Sequence, residues 1–350
     1  MSTLNMNFLK SFDKELTKIE GIATSDDPPR YSYHTGNYVL NKITSGDFLT
    51  GGIACQGRVG IIAGPSGCGK SFVGSNLMRE AQKAGAFVLA IDSENALSKD
   101  FVSAIGVDPT NNYKYVSVTT VNHLVNVVST FLKSYKDEYS NDLINAPQVF
   151  IFIDSLGMLM TDSEVSNYEK GEQKGDMGGK NKSLKGFLKS IVQDIKTLNV
   201  SVVATSGVYA NQDILNGQGK YIISDSIKYA CSTITLITQT KLRDGTEVAG
   251  IKMKCEGYKV RYTKPYQTVV IDVPYDSGIN PYSGFVEVMK GLGIINNRGA
   301  WYYLVDDENV KFQAKNVEEH AELLMNKANN LANAYLKSDD TNLIEVVATE

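Results

Sequence analysis

The 350-residue chain is poor in the residues that build metal centres and disulfide frameworks. Its four cysteines, at 55, 68, 231 and 255, form no close pairs. This excludes the usual CxxC zinc pattern and suits a reducing compartment. Histidine occurs only at 34, 123 and 320, which leaves little for His-based metal chemistry. No stretch approaches the roughly 18 continuous apolar residues of a membrane span. The opening Met1-Ser2-Thr3-Leu4-Asn5-Met6 lacks the basic and apolar regions of a signal peptide, so a cytoplasmic location is expected. There is no long repeat and no low-complexity tract. A net charge of −4 excludes a globally basic nucleic-acid coat, although a local basic stripe remains open.

What is present begins with Gly64-Pro65-Ser66-Gly67-Cys68-Gly69-Lys70-Ser71, directly after the apolar run Val59-Gly60-Ile61-Ile62-Ala63. This is a complete G-x-x-x-x-G-K-[ST] match between a buried strand and a helix start. Backbone N–H groups in such a turn, with the helix N-terminus behind them, cradle phosphate oxygens. Lys70 is placed to reach the β- and γ-phosphates, and Ser71 to hold Mg²⁺.

Around this motif, strand and helix signals alternate. Phe72 to Ala84 reads as a helix, Ala86 to Asp92 as a buried strand, 121–136 as a helix, and Gln148 to Ser155 as the clearest strand. The apolar stripe from Leu184 to Leu198 is helical, and Val200 to Ala204 is a further buried strand. Continuous apolar strands between helices imply a mostly parallel sheet covered on both faces. Residues 232–239, 250–256 and 267–273 are β-rich, with a hairpin turn at Arg243-Asp244-Gly245-Thr246, and extend the sheet with antiparallel strands. The expected organisation is an N-terminal oligomerisation segment and linker (1–30), an α/β ATPase core (31–281), a small, mostly helical C-terminal module (282–335) and an acidic, mobile tail (336–350). Within the first segment, Phe8, Leu9, Phe12, Leu16 and Ile19 form an amphipathic helical stripe over 7–19.

Nucleotide hydrolysis on this plan needs a metal carboxylate and a group that orients water. Asp154, after four apolar residues, fits the metal role with Ser71. Glu94, just past the strand ending at Asp92, fits the water role, since ligands lie beyond the carboxyl ends of parallel strands. Against this, Glu94 reads also as an N-cap neighbour in a loop. Lys259 and Arg261 lie in a polar strand-edge segment, and on spacing alone read as a solvated edge. Two Gly- and Lys-bearing loops follow strands of the sheet. The first, 161–182, carries Tyr168, Lys170, Lys174, Lys180 and Lys182. The second, 208–224, carries Tyr209, Asn211, Gln212 and Lys220. Both suit a nucleic-acid backbone, or are plain surface loops.

Taken as an ordered set, these motifs resemble the RecA family of recombinases, its T4-like phage branch in particular, from about Tyr31 to Tyr303. Thr50-Gly51-Gly52, Ile91-Asp92-Ser93-Glu94 with Ala96-Leu97, the strand Phe150–Leu156, Ser226 to Ala230, Lys259-Val260-Arg261 with Pro265-Tyr266, Gly278-Ile279-Asn280 and Gly299 to Tyr302 carry the likeness. The resemblance implies a DNA-dependent ATPase using ATP and Mg²⁺, with Glu94 and Lys70 catalytic. It implies filaments on single-stranded DNA, pairing with double-stranded DNA and strand exchange in recombination and repair. A recombination mediator and a single-strand-binding protein follow as possible partners, in the host cytoplasm if the chain is phage-encoded. It assigns Phe101 and Tyr275 to the adenine and Lys259 and Arg261 to the neighbouring subunit's ATP. It places the two loops and Lys228 against DNA, and the helix at Phe8, Phe12 and Leu16 against the next subunit.

One departure stands out. Where the family carries a glutamine or histidine that senses the γ-phosphate, this chain has Ser206-Gly207. Ser206, Tyr209 or Gln212 then takes over, or DNA stimulates hydrolysis less. Two other readings stay open. One is a hexameric helicase on the same core, which the short 30-residue segment before the core disfavours. The other is a nucleotide-switched DNA-binding accessory protein without turnover. A nucleotide kinase fits worst, since no lid-like arginine cluster follows the core.

Overall fold

A computed structural model describes residues 6–16, 18, 28–172, 174, 178–211, 221–331, 334–338 and 344–348. The chain divides between Arg30 and Tyr31 into two units. The first holds helix α1, Met6–Leu16, and none of its residues is buried. Met6, Phe8, Leu9 and Phe12 are all exposed. Phe8 and Phe12, one turn apart, stack with centroids 6.3 Å apart. Ile19 lies outside the described residues.

The second unit opens with α2, Tyr38–Ser45, capped by the Asn37 side chain, which accepts from the Leu40 N–H. The alternation read from sequence then follows. Strand β1 (Val59–Ala63) leads to α3 (Lys70–Lys83), β2 (Phe87–Asp92), α4 (Lys99–Ile105), β3 (Tyr113–Ser117) and α5 (Val121–Glu138). Next come β4 (Val149–Asp154), α6 (Asp162–Glu169), α7 (Gly179–Ile195), β5 (Val200–Ser206), the short β6 (Tyr209–Ala210) and β7 (Tyr221–Ile222), and α8 (Asp225–Lys228). The long strands β8 (Thr233–Asp244), β9 (Glu247–Lys259) and β10 (Thr268–Pro274) complete the sheet.

Eight strands form one sheet in the order β10-β9-β8-β1-β5-β4-β2-β3. From β8 to β3 every pairing is parallel, and β8, β9 and β10 pair antiparallel. The strands at its centre are buried along their whole length because successive residues feed two cores. Phe150, Phe152, Ile62 and Val203 face one core with Val73 and Leu77 of α3. Ile151, Ile153, Ile61 and Val202 face the other with Leu124 and Val128 of α5 and Leu188 and Ile191 of α7. Period-two alternation between two apolar cores explains the unbroken hydrophobic runs.

The C-terminal module is more mixed than its mostly helical pattern suggests. Helix α9 (Phe285–Gly291) is followed by a three-stranded antiparallel sheet of β11 (Ile295–Arg298), β12 (Trp301–Leu304) and β13 (Lys311–Gln313). A 3₁₀ turn, Ala314–His320, and α10, Ala321–Asn329, complete it. The aromatic run Trp301-Tyr302-Tyr303 favours the pleated form. Within the segment expected as a tail, β14 (Ala334–Ser338) and β15 (Ile344–Ala348) pair antiparallel beside β10 and α9. Ile344, Val346 and Val347 give the last segment its β preference.

Candidate functional site

The carboxyl ends of β1, β2, β4 and β5 meet at one edge, where Ala63 pairs with Ser206 and Asp92 with Asp154. The loop Gly64–Gly69 rises from β1 at that edge and turns into α3. Gly69 caps the helix at φ +91°, and a Cβ there would meet Met253 Cε at 2.7 Å. The left-handed φ is what favours glycine there. The Lys70 ammonium donates to the carbonyls of Gly64 at 3.1 Å and Pro65 at 2.8 Å. It thus lies folded over the cradle that a phosphate would enter.

Asp154 is buried, with 1% exposure. The Thr205 hydroxyl donates to its Oδ1. Its Oδ2 is buried without a hydrogen-bond partner. Burial pushes the Asp154 pKa above the ordinary carboxylate value, the Ser71 and Thr205 hydroxyls pull it down, and the Glu94 and Asp92 charges add to the rise. A buried carboxylate oxygen without a partner, beside a hydroxyl and a phosphate cradle, fits Mg²⁺, which takes few protein ligands and completes its shell with water and phosphate. No cluster of three or more His, Cys, Asp or Glu side chains placed to hold a metal occurs among the described residues.

Glu94 stands next to this carboxylate. The Ser155 hydroxyl donates to its Oε1. Asp92 builds the turn that presents it, accepting from the Glu94 and Leu97 N–H groups, both at 2.9 Å, and from the Tyr115 hydroxyl at 3.2 Å. Ser93 joins the two strand ends: its N–H donates to Asp154 O at 2.7 Å and its hydroxyl to Ser155 O at 2.8 Å.

Phe101 and Tyr275, far apart in sequence, line one cavity of about 480 Å³ beside α3. Phe72, Asn76 and Arg79 of α3 line it too. A partly apolar cavity lined by two aromatic rings beside the helix that follows the phosphate loop suits a purine base.

Lys259 and Arg261 are absent from this edge. Met253 touches the cradle, and Lys259 ends the same strand about 20 Å further along at ~3.4 Å per residue. Its pairing with Ile234 sets it at the level of Ile61, below the cradle. The Lys259 ammonium donates to the Lys228 carbonyl on α8. Burial and the neighbouring Arg261 charge lower its pKa.

The two loops differ from their sequence picture. Much of the first is the helix α6, because Thr161 and Glu164 form a reciprocal capping box. Lys170, Lys174 and Tyr168 stay exposed, Tyr168 at 80%. Lys174 pairs with Glu172 at 2.8 Å. Lys180 and Lys182 lie in the first turn of α7, with Lys180 donating to the Gly157 carbonyl. Lys182, Lys185 and Lys189 continue an exposed basic stripe along the helix. In the second loop Tyr209 is 64% exposed, whereas Asn211 is only 7% exposed and engaged within the protein. Gln212 and Lys220 lie outside the described residues. Lys228 is half-buried and pairs with Asp225 at 3.4 Å. Burial opposes its charge, but Tyr258 and Asp225 outweigh this and raise its pKa.

Thr205 and Ser155, the hydroxyls that hold Asp154 and Glu94, are not visible as functional in the sequence. Both sit at ends of apolar strands, and only the β5-β4-β2 neighbour order brings them to their carboxylates.

A family model described as the RecA N-terminal domain matches residues 10–280. The chain is similar to the "Recombination and repair protein" of Enterobacteria phage T4, 27% identical over 316 residues, which cover 86% of this chain and 74% of the relative. It is also similar to "Protein RecA" of Frankia alni, 25% identical over 311 residues, covering 86% and 83%. "Protein RecA" of Chloroherpeton thalassium is 23% identical over 260 residues, covering 72% and 67%.

Proposed function

This chain belongs to the RecA N-terminal domain family, and on that premise we propose that it is an ATP-dependent recombinase. It assembles on single-stranded DNA and promotes homologous pairing and strand exchange in recombination and repair. The observation that carries this reading is the convergence of the phosphate loop, Asp154 and Glu94 at one end of the sheet.

Lys70 exchanges its loop carbonyls for β- and γ-phosphate oxygens. Ser71 and the free oxygen of Asp154 are the groups to hold Mg²⁺, which when bound neutralises charge on those oxygens. Glu94, steadied by Ser155, orients the attacking water. Phe101 and Tyr275 flank the base. The position of Lys259, at the far end of its strand, and of Arg261 just beyond it supports action on a neighbouring copy's phosphates. Cations supplied in trans stabilise the transition state of phosphoryl transfer. The exposed lysines of the first loop and of α7, together with Tyr209, form the surface for a nucleic-acid backbone, with contacts that ignore base identity.

The test is ATP turnover with and without an unstructured single-stranded oligonucleotide, beside negative-stain imaging of the same sample. Turnover that needs Mg²⁺ and disappears in Lys70→Ala, together with open helical filaments, is the expected result. Closed rings would favour the helicase reading, and filaments without turnover the switched accessory protein.

A further inference from the structure

Strand β5 ends where the phosphate cradle, the metal-side carboxylate and the second loop meet. Thr205 is fully buried, and its hydroxyl donates to Asp154 Oδ1. Its carbonyl accepts from the Leu156 N–H at 3.0 Å, so it grips the chain on both sides of Ser155. The next carbonyl, that of Ser206, accepts from the Gly64 N–H at 3.1 Å at the foot of the cradle. The Ser206 hydroxyl turns away, to the Gly207 carbonyl at 3.0 Å. A Cβ at Gly207 would meet nothing within 4 Å, so there is room for a side chain that this chain does not carry. Three residues after Ser206 the chain enters the exposed strand at Tyr209.

We propose that Thr205 is the positioning residue that couples the nucleotide end of the sheet to the segment beginning at Tyr209. This rests on the ATPase reading above. The hydroxyl occupies Oδ1 and so leaves the partnerless Oδ2 as the oxygen available to the metal. A hydrogen bond to a buried carboxylate is among the stronger kinds. Strand β5 lies between β1 and β4, close-packed on both sides, so a displacement of Asp154 is passed along it rather than absorbed. The role that a side chain at 207 would play falls to a hydroxyl two residues earlier, acting through the metal carboxylate. Such coupling is reciprocal: metal-bound nucleotide tightens DNA, and DNA tightens metal-bound nucleotide by the same factor.

The test compares full-length wild type with Thr205→Val, which keeps the shape and loses the donor, and Thr205→Ser, which keeps the hydroxyl. Two ratios are measured. One is the affinity for a fluorescent ATP analogue with Mg²⁺ over that without it. The other is the affinity for a single-stranded oligonucleotide with Mg²⁺ and a slowly hydrolysed ATP analogue over that without nucleotide. Because each is a ratio, a general loss of binding cancels. Thr205→Val is expected to lower both about fivefold, the factor that one net hydrogen bond supplies, and Thr205→Ser to keep both near wild type. Wild-type ratios in Thr205→Val overturn the proposal. Should Thr205→Val fail to fold, Thr205→Cys, with its weak donor, replaces it, and equal ratios in Cys and Ser overturn the proposal. A wild type whose oligonucleotide affinity ignores nucleotide sinks the function reading itself. That outcome is distinct from coupling that survives the loss of the hydroxyl.

Discussion

Asp154 carries a cost that its surroundings do not remove. One oxygen is satisfied by Thr205, the other is buried and bare, and burial holds the pKa above the ordinary range. The folded chain therefore binds this proton more tightly than the unfolded chain does. The destabilisation is fully present above the folded-state pKa and fades as pH falls towards the ordinary aspartate value of about 3.9. Asp154→Asn removes the buried charge. It is expected to raise the melting temperature of the metal-free protein by a few degrees at neutral pH while abolishing Mg²⁺-dependent turnover. The gap in melting temperature between the two proteins should narrow on acidification. A lower melting temperature for Asp154→Asn at neutral pH would show that the carboxylate is a structural anchor instead. On the proposed reading this is stability given up for a site that metal and phosphate complete.

Helix α3 shows how tightly an element is set to serve the site. At Gly74 a Cβ would meet three atoms of the Phe152 ring, the nearest at 2.0 Å. The helix that carries Lys70 and Ser71 therefore lies directly on the strand that carries Asp154. Helix propensity alone favours alanine over glycine by about 1 kcal/mol. Overpacking costs about 1–3 kcal/mol, and the ring is fully buried. Gly74→Ala is expected to lower the denaturant midpoint and weaken nucleotide binding, because the helix must lift from the strand. Gly186, inside α7, faces open space. Gly186→Ala should raise the midpoint by the propensity difference. Equal shifts in the two variants would refute the packing argument.

At the scale of the whole molecule, cradle and cations lie at different levels of one strand, Met253 beside Gly69 and Lys259 further along. On the proposed reading a single copy does not close its own site, and a head-to-tail contact that does not close on itself builds a filament. Lys70→Ala and Lys259→Ala are each expected to be inactive. An equal mixture that co-assembles at random should recover about a quarter of wild-type turnover. One half of the sites then hold an intact cradle, and one half of those face an intact lysine. No recovery in co-assembled mixtures, scored by imaging, would refute the shared site.

The sequence by itself determined the Gly64–Ser71 turn, the strand ending in Asp154, the place of Glu94 just past its strand and the alternation that makes the sheet. These are written in local spacing: glycines at fixed offsets, an apolar run ending in Asp154, helical stripes at 184–198. It also contained Phe101 and Tyr275, though only the fold brings both into one cavity. The capping box at Thr161 and Glu164 was legible too, and reading it would have shortened the first loop to the stretch after α6. Thr205 on Asp154, Ser155 on Glu94 and the distance between Lys259 and the cradle were decided by tertiary structure alone. The two hydroxyl contacts span 51 and 61 residues of sequence, and each exists only because β5, β4 and β2 are neighbours. Local pattern selects strands and helices, but strand order is settled by the simultaneous burial of two cores, and no single stretch of chain records it.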